Sequence, residues 1–98
     1  MRHPDSVKPT YWKVARIVSK SWDDGVVVFN LDSGSTHLLN PTAAQALKCL
    51  EETPCDARVL SERLASQTAL DSDAELVTHV ERLLAQLDEL GLVEPVYQ

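Results

Sequence analysis

Histidine and cysteine are the side chains best suited to bind a metal or attack a substrate, and their spacing in this chain supports neither role. His3, His37 and His79 are scattered and form no metal-binding motif. Cys49 and Cys55 match no common zinc or redox spacing. Cys49 lies within a helical pattern of apolar residues, which is typical of a small buried side chain. We therefore expect reduced thiols, no metal site and no cofactor.

The serines and acidic residues also lack the arrangement that catalysis requires. Ser33, Ser35 and Ser61 do not occur in a nucleophile elbow. Gly34 is the only glycine near the central turn, so no glycine-rich loop surrounds a phosphate. The carboxylates are spread over predicted helix surfaces and are typical of a solvated face rather than an acid–base pair. We predict that the protein is not an enzyme, and a small metal-dependent or thiol enzyme is the most distant alternative.

The composition indicates one small globular domain. The chain has 98 residues, of which 44% are hydrophobic and 24% charged, so a moderate core is expected without a large ligand cavity. The net charge of −6 opposes binding to nucleic acid or to an anionic membrane surface, but suits a basic or neutral peptide. The N-terminal residues have no apolar run typical of a signal peptide, and no segment reaches membrane-spanning length. We expect a cytoplasmic protein.

The stretch VVVFNLDSGSTHLLNPTAAQAL, residues 26–47, predicts a β-hairpin that leads directly into a helix. Residues 26–31 are β-branched and aromatic-rich, as in a strand. A three-residue turn at 32–34 follows, in which Gly34 can adopt the left-handed conformation. After the return strand at 35–39, Asn40 can cap a helix whose first residue is Pro41.

The turn also predicts which residues face each other across the hairpin. If Leu31 lies opposite Ser35, the cross-strand pairs are Phe29–His37 and Val27–Leu39 on one face, and Asn30–Thr36 and Val28–Leu38 on the other. Both faces then carry apolar side chains. One face must cover the core, which leaves the other face and one strand edge available to a partner.

The remaining segments predict one further strand and three helices. The first strand is expected within residues 12–21, before a turn at 22–25. Helices are expected at 41–52, at 57–67 after an Asp56 cap, and from a capping box at 72–75 to about residue 90, with Gly91 as the C-terminal cap. A short extended tail is expected at 93–97. The layout is α+β, a small antiparallel three-stranded sheet followed by three helices, as in winged-helix proteins. We assign residues 1–10 to a flexible arm, 11–95 to the domain and 96–98 to a tail.

The last helix has an apolar face wider than one packing contact needs. At about 100° per residue, one group of residues lies together on this face: Leu76, Val80, Leu83, Leu87 and Leu90. Val77 and Leu84 lie to one side, flanked by Glu81 and Asp88. Either the whole face is core, or the Val77/Leu84 side lines an external groove.

The central stretch and its spacing to the last helix resemble the PqqD-like family, and most closely the branch known as the HPr-rel-A system PqqD family of peptide chaperones. The matching motifs are Val28-Phe29-Asn30, Ser33-Gly34, Thr36-His37, Leu39-Asn40, Ala43-Ala44 and the ending Leu90-Gly91-Leu92-Val93. The resemblance covers about residues 12–93.

This resemblance implies a domain that binds the leader segment of a ribosomally made precursor peptide and presents it to a modifying enzyme. Such domains add the leader as a strand to the edge of the third strand, against the last helix. Carried onto this sequence, the peptide-binding residues would be Ser35, Thr36, His37, Leu38, Leu39, Val77, Val80, Glu81 and Leu84. The implied partners are the precursor peptide and a modifying enzyme, with a radical SAM enzyme and an HPr-kinase-related protein as candidates.

Two other functions remain open at this point. A winged-helix nucleic-acid binder would need a basic helix or wing, and residues 57–67 offer only Arg58 and Arg63. A structural subunit could use the same strand edge to form a homodimer.

Overall fold

The three predicted helices and the antiparallel sheet before them are confirmed in the computed structural model, which describes residues 9–23, 25–68 and 74–97. The described elements are β1 (Tyr11–Val14), β2 (Ile17–Trp22), β3 (Gly25–Asn30), β4 (Thr36–Leu39), α1 (Pro41–Glu52), α2 (Ala57–Thr68), α3 (Ala74–Glu89) and β5 (Val93–Val96). Most of the expected N-terminal arm, most of the connection after α2, and Ser72 and Asp73 of the expected capping box lie outside the described residues.

The first strand is two strands rather than one. β1 pairs antiparallel with β5, whereas β2 pairs with β3, in a separate three-stranded sheet of order β2-β3-β4. The switch occurs at Ala15 and Arg16: the Ala15 N–H donates to Leu92 O at 3.0 Å, and Arg16 O accepts from the Leu31 N–H at 2.9 Å. The prediction of one strand within 12–21 was wrong because Ala15 bonds to the residue before β5, whereas Arg16 bonds to the residue after β3. The expected tail at 93–97 forms β5, which includes Val96.

The β3–β4 hairpin is shifted by one residue from the predicted register. Its pairs are Val26↔Leu39, Val27↔Leu38, Val28↔His37 and Phe29↔Thr36. The turn is longer than predicted because the Asn30 side chain accepts hydrogen bonds from the N–H groups of Asp32 and Ser33, which draws Leu31 into the loop. Gly34 adopts the expected left-handed conformation, with φ of 78°. Since a one-residue shift exchanges faces, Val28 and Leu39 both lie in the core.

The helix boundaries follow local signals that were predicted correctly. Asn40 Oδ1 accepts from the Ala43 N–H at 2.8 Å at the start of α1, and Asp56 Oδ1 accepts from the Val59 N–H at 2.9 Å at the start of α2. At the end of α3, Gly91 is left-handed and donates to Asp88 O, while the Leu92 N–H donates to Leu87 O. These two bonds form a Schellman motif, which turns the chain into β5.

One core joins the helices to the inner face of the three-stranded sheet. Its largest fully buried members are Leu50, Leu60, Leu84, Leu87, Leu92 and Val28. Cys49 is fully buried, as predicted, and both cysteines are free thiols. No helix within the described ranges is long and apolar enough to cross a bilayer.

Candidate functional site

The outer edge of β4 presents backbone groups that have no partner strand. β4 is the last strand of its sheet, with β3 on one side only. The Asn30 N–H donates to Ser35 O, which marks these two residues as a hydrogen-bonded pair. Because such pairs alternate along an antiparallel ladder, His37 and Leu39 bond to β3, while the N–H and C=O groups of Thr36 and Leu38 point away from it. No backbone group among the described residues bonds to them.

A short hydrogen-bond network stiffens the turn that leads into this edge. Ser33 Oγ lies 2.7 Å from Ser35 Oγ and accepts from the Ser35 N–H at 3.2 Å, and Ser35 Oγ lies 3.3 Å from His37 Nε2. The His37 ring thus joins the two serine hydroxyls in fixing the start of β4.

Asn30 connects this turn to the end of α3. Its side chain is 6% exposed. Its Nδ2 donates to Gly91 O at 2.5 Å, while its Oδ1 accepts from Asp32 N at 2.8 Å and Ser33 N at 2.9 Å. The sequence analysis did not identify this role, although an asparagine directly before a turn is typical of such side-chain-to-backbone bonds. Asn30 therefore joins the turn before β4 to the residue that ends α3.

The helix residues predicted for the site divide between core and surface. Val80 and Leu84 are fully buried, on a seam that continues to Leu87, whereas Val77 and Glu81 are half-buried. The interpretation of Leu84 as the wall of an external groove was wrong, because the core seam of α3 runs through this residue. Val77 and Glu81 are the predicted helix residues that reach the surface.

The predicted strand residues also differ in exposure. Thr36 and Leu38 are exposed, Ser35 and His37 are half-buried, and Leu39 is buried. The exposed pair is the pair whose backbone groups point outward. The side chain of Leu39 supports the edge from the core.

An open cavity of about 570 Å³ lies at a different edge of the sheet. It is formed by β2 and α1, and its polar lining includes Ser19, Ser21, Gln45, Lys48 and Glu51. None of the predicted site residues lines it. β2 is the other edge strand of the same sheet, so this cavity is a rival position for an extended peptide.

The Cys55 thiol is held in its neutral form. Burial raises the pKa of Cys55, and the nearby Arg63 guanidinium, at 3.5 Å from Sγ, opposes this only in part. Arg63 also donates to Cys49 O at 2.7 Å and Thr53 O at 2.8 Å, at the C-terminal end of α1. A thiol with a raised pKa is a poor nucleophile at neutral pH, which argues against a thiol enzyme.

Comparison with known proteins assigns the family. The sequence family described as Coenzyme PQQ synthesis protein D (PqqD) matches residues 25–93, more than two thirds of the chain. The chain belongs to the PqqD family. The matched region begins at β3 and includes the β4 edge, all three helices and the start of β5. The finer assignment to the HPr-rel-A branch stays a prediction.

The PqqD-family fold is shared with two solved structures. One is described as a lasso peptide synthetase B1 complexed with the leader peptide, with a TM-score of 0.68 and 22% identity over 86% of this chain and 98% of the other. The second is TbiB1 in complex with the TbiA(beta) leader peptide, with a TM-score of 0.71 and 21% identity over 88% and 99%. These matches confirm the α+β fold. No curated protein sequence matches the chain significantly.

Proposed function

We propose that this PqqD-family domain binds the leader segment of a ribosomally made precursor peptide as an added strand on β4 and presents it to a modifying enzyme. The observation that carries the proposal is the unpaired backbone of Thr36 and Leu38 at a sheet edge. The two similar solved proteins are both complexes with leader peptides, which supports a peptide as the ligand. In this proposal the domain is an adaptor and performs no catalysis.

Backbone pairing alone is too weak to hold the peptide. Thr36 and Leu38 offer two N–H and two C=O groups, and a hydrogen bond contributes a net value of about 1 kcal/mol. Four such bonds supply about 4 kcal/mol, whereas micromolar affinity requires about 8 kcal/mol. Side-chain contacts must supply the remaining binding free energy.

We assign those contacts to surface residues on either side of the added strand. On β4 and the turn before it they come from Ser35, Thr36, His37 and Leu38, with Leu39 behind them. On α3 they come from Val77 and Glu81, with Val80 and Leu84 as buried support. The net charge of −6 favours a leader that carries basic residues.

The partners follow from the same proposal. The domain would bind a precursor peptide and one modifying enzyme, for which a radical SAM enzyme and an HPr-kinase-related protein are the candidates implied by the family resemblance. The free thiols Cys49 and Cys55 support a reducing compartment, as in the cytoplasm.

An amide NMR titration with the precursor peptide encoded beside the gene tests the proposal. We expect shifts at residues 35–39 and at Val77 and Glu81. Shifts concentrated instead at Ser19, Ser21 and Lys48 would place the peptide at the β2–α1 cavity and overturn the choice of edge. An absence of shifts in a folded monomer would overturn the peptide-binding function.

Sedimentation velocity of the free domain separates the proposal from its main alternative. A homodimer through β4 would occupy the same backbone groups of Thr36 and Leu38. We expect a monomer at micromolar concentration. A stable dimer that peptide does not dissociate would favour the dimerising subunit instead.

A further inference from the structure

The face of the three-stranded sheet that points away from the core, which we call the outer face, carries half of the large hydrophobic side chains that are exposed among the described residues. In the observed register its residues are Val18, Lys20 and Trp22 of β2, Val27 and Phe29 of β3, and Thr36 and Leu38 of β4. Eight large hydrophobic side chains are exposed among the described residues, and four of them lie on this face: Val18, Trp22, Phe29 and Leu38. Leu38 is 65% exposed, Trp22 57% and Val18 55%. A contiguous exposed apolar surface of this kind marks an interaction site.

We infer that the outer face, extended by a peptide strand on β4, is the docking surface for the enzyme that acts on that peptide. This inference rests on the proposed function. An added strand continues the sheet beyond β4, and every second side chain of the peptide would then join Thr36 and Leu38 on the outer face. The enzyme would recognise domain and peptide together.

The size of the outer face explains why the peptide matters. Three strands spaced about 4.8 Å apart, with about six residues of 3.3 Å each, cover a footprint of roughly 300 Å². A stable interface needs about 800 Å² from each partner. The face alone is therefore too small. A fourth strand brings the footprint to roughly 400 Å², about half of what a stable interface needs, so the enzyme would also contact surface of the peptide and the domain beyond the sheet.

The charges on the domain indicate which kind of partner can bind the outer face. Among the strand residues that the structure describes, Lys20 is the only charged one on the outer face, and its Nζ lies 4.9 Å from the centre of the Trp22 ring. The chain as a whole carries a net charge of −6. A second copy would set another domain of net charge −6, with its own Lys20, against this face, which is unfavourable. The fitting partner is an apolar protein surface with a carboxylate opposite Lys20.

The test compares two substitutions on the outer face with one elsewhere. Val18→Glu and Lys20→Glu place a negative charge on β2, two strands away from the peptide edge. Val59→Glu is the matched control, because Val59 is an exposed valine on α2. Each variant is loaded with precursor peptide, and its affinity for each enzyme encoded beside the gene is measured by biolayer interferometry. Peptide affinity is measured separately by fluorescence anisotropy.

We expect one enzyme to bind the loaded domain at least tenfold more tightly than the free domain. Val18→Glu and Lys20→Glu should each weaken enzyme binding at least tenfold. Val59→Glu should bind the enzyme as tightly as the parent does, and all variants should bind the peptide with the parent's affinity. The inference is overturned if no enzyme binds the loaded domain, if free and loaded domains bind equally, or if both outer-face variants bind like the parent. Self-association that Val18→Glu abolishes would overturn it in favour of a second copy. If the proposed function itself is wrong, the parent domain will not bind the peptide, and this result is distinct from a failure of enzyme binding.

Discussion

At the scale of single residues, Asn30 fixes the turn that leads into the β4 edge. One buried side chain bonds both to the turn before β4 and to the carbonyl of Gly91 after α3. The predicted register was wrong by one residue because the Asn30 side chain accepts from the N–H groups of Asp32 and Ser33, which draws Leu31 into the loop. The Asn30–Gly91 bond joins residues 61 positions apart, so local signals could not reveal it.

Replacing Asn30 by aspartate tests this link. Asn30→Asp keeps an oxygen for the N–H groups of Asp32 and Ser33, but sets a carboxylate against Gly91 O. We expect a loss of about 1–3 kcal/mol of unfolding free energy at pH 7. Burial beside a carbonyl oxygen raises the folded pKa of the new acid, so the loss is fully present above the folded pKa, shrinks as the pH falls from there, and is absent below the unfolded pKa.

Urea unfolding at pH 7 and pH 4.5, together with peptide affinity, provides the measurement. The control is Asp32→Asn, which removes only the exposed ion pair with Arg16 and should change stability by less than about 1 kcal/mol. If Asn30→Asp is as stable as the parent at pH 7, the bond to Gly91 does not hold the turn.

At the scale of elements, the sequence predicted what is decided locally and failed where distant segments meet. The boundaries of α1 and the caps at Asn40, Asp56 and Gly91 depend on neighbouring residues, and all are confirmed. The division of the first strand depends on β5, about 80 residues later. The free edge of β4 could be predicted, but the residues of α3 that lie in the core could not, because two apolar sides of that helix had similar patterns.

The β4 edge is tested by a pair of proline substitutions. The Leu38 N–H points away from β3, so Leu38→Pro removes only an edge donor, which edge strands tolerate. We expect a folded domain with at least tenfold weaker peptide binding. His37→Pro removes an N–H that bonds to β3, and should destabilise the hairpin by about 3 kcal/mol. Circular dichroism melts and peptide titration distinguish the two, and unchanged peptide binding by Leu38→Pro would exclude strand addition at this edge.

The two sides of α3 are tested by substitutions at Val77 and Leu84. Leu84 is fully buried, so Leu84→Ala should lower the unfolding free energy by about 2–5 kcal/mol. Val77→Lys, at a half-buried position beside Glu81, should leave the domain folded and weaken binding of a basic leader. Thr78→Lys is the control on the exposed side of the helix. Equal peptide affinities of Val77→Lys and Thr78→Lys would remove Val77 from the site.

At the scale of the whole molecule, β1 and β5 hold the two ends of the described chain together on the helical side of the core. Their pairing runs from Tyr11↔Val96 to Val14↔Val93, and the Trp12 N–H donates to Cys55 O at 2.8 Å. This two-stranded sheet is separate from the sheet that carries the candidate site. Its role is therefore expected to be stability rather than peptide recognition.

Deletion of residues 93–98 tests this division of roles. It removes the fully buried Val93 and uncovers the half-buried Trp12 and Val14. Burying one valine contributes about 1.5–3 kcal/mol, so we expect a marked fall in the melting temperature. Deletion of residues 97–98 leaves β5 intact and should not change the melting temperature. Peptide affinity, measured at a temperature where the shorter chain is folded, should equal that of the parent, because the β4 edge and α3 remain. A loss of affinity in the folded, truncated domain would show that β5 contributes to the site.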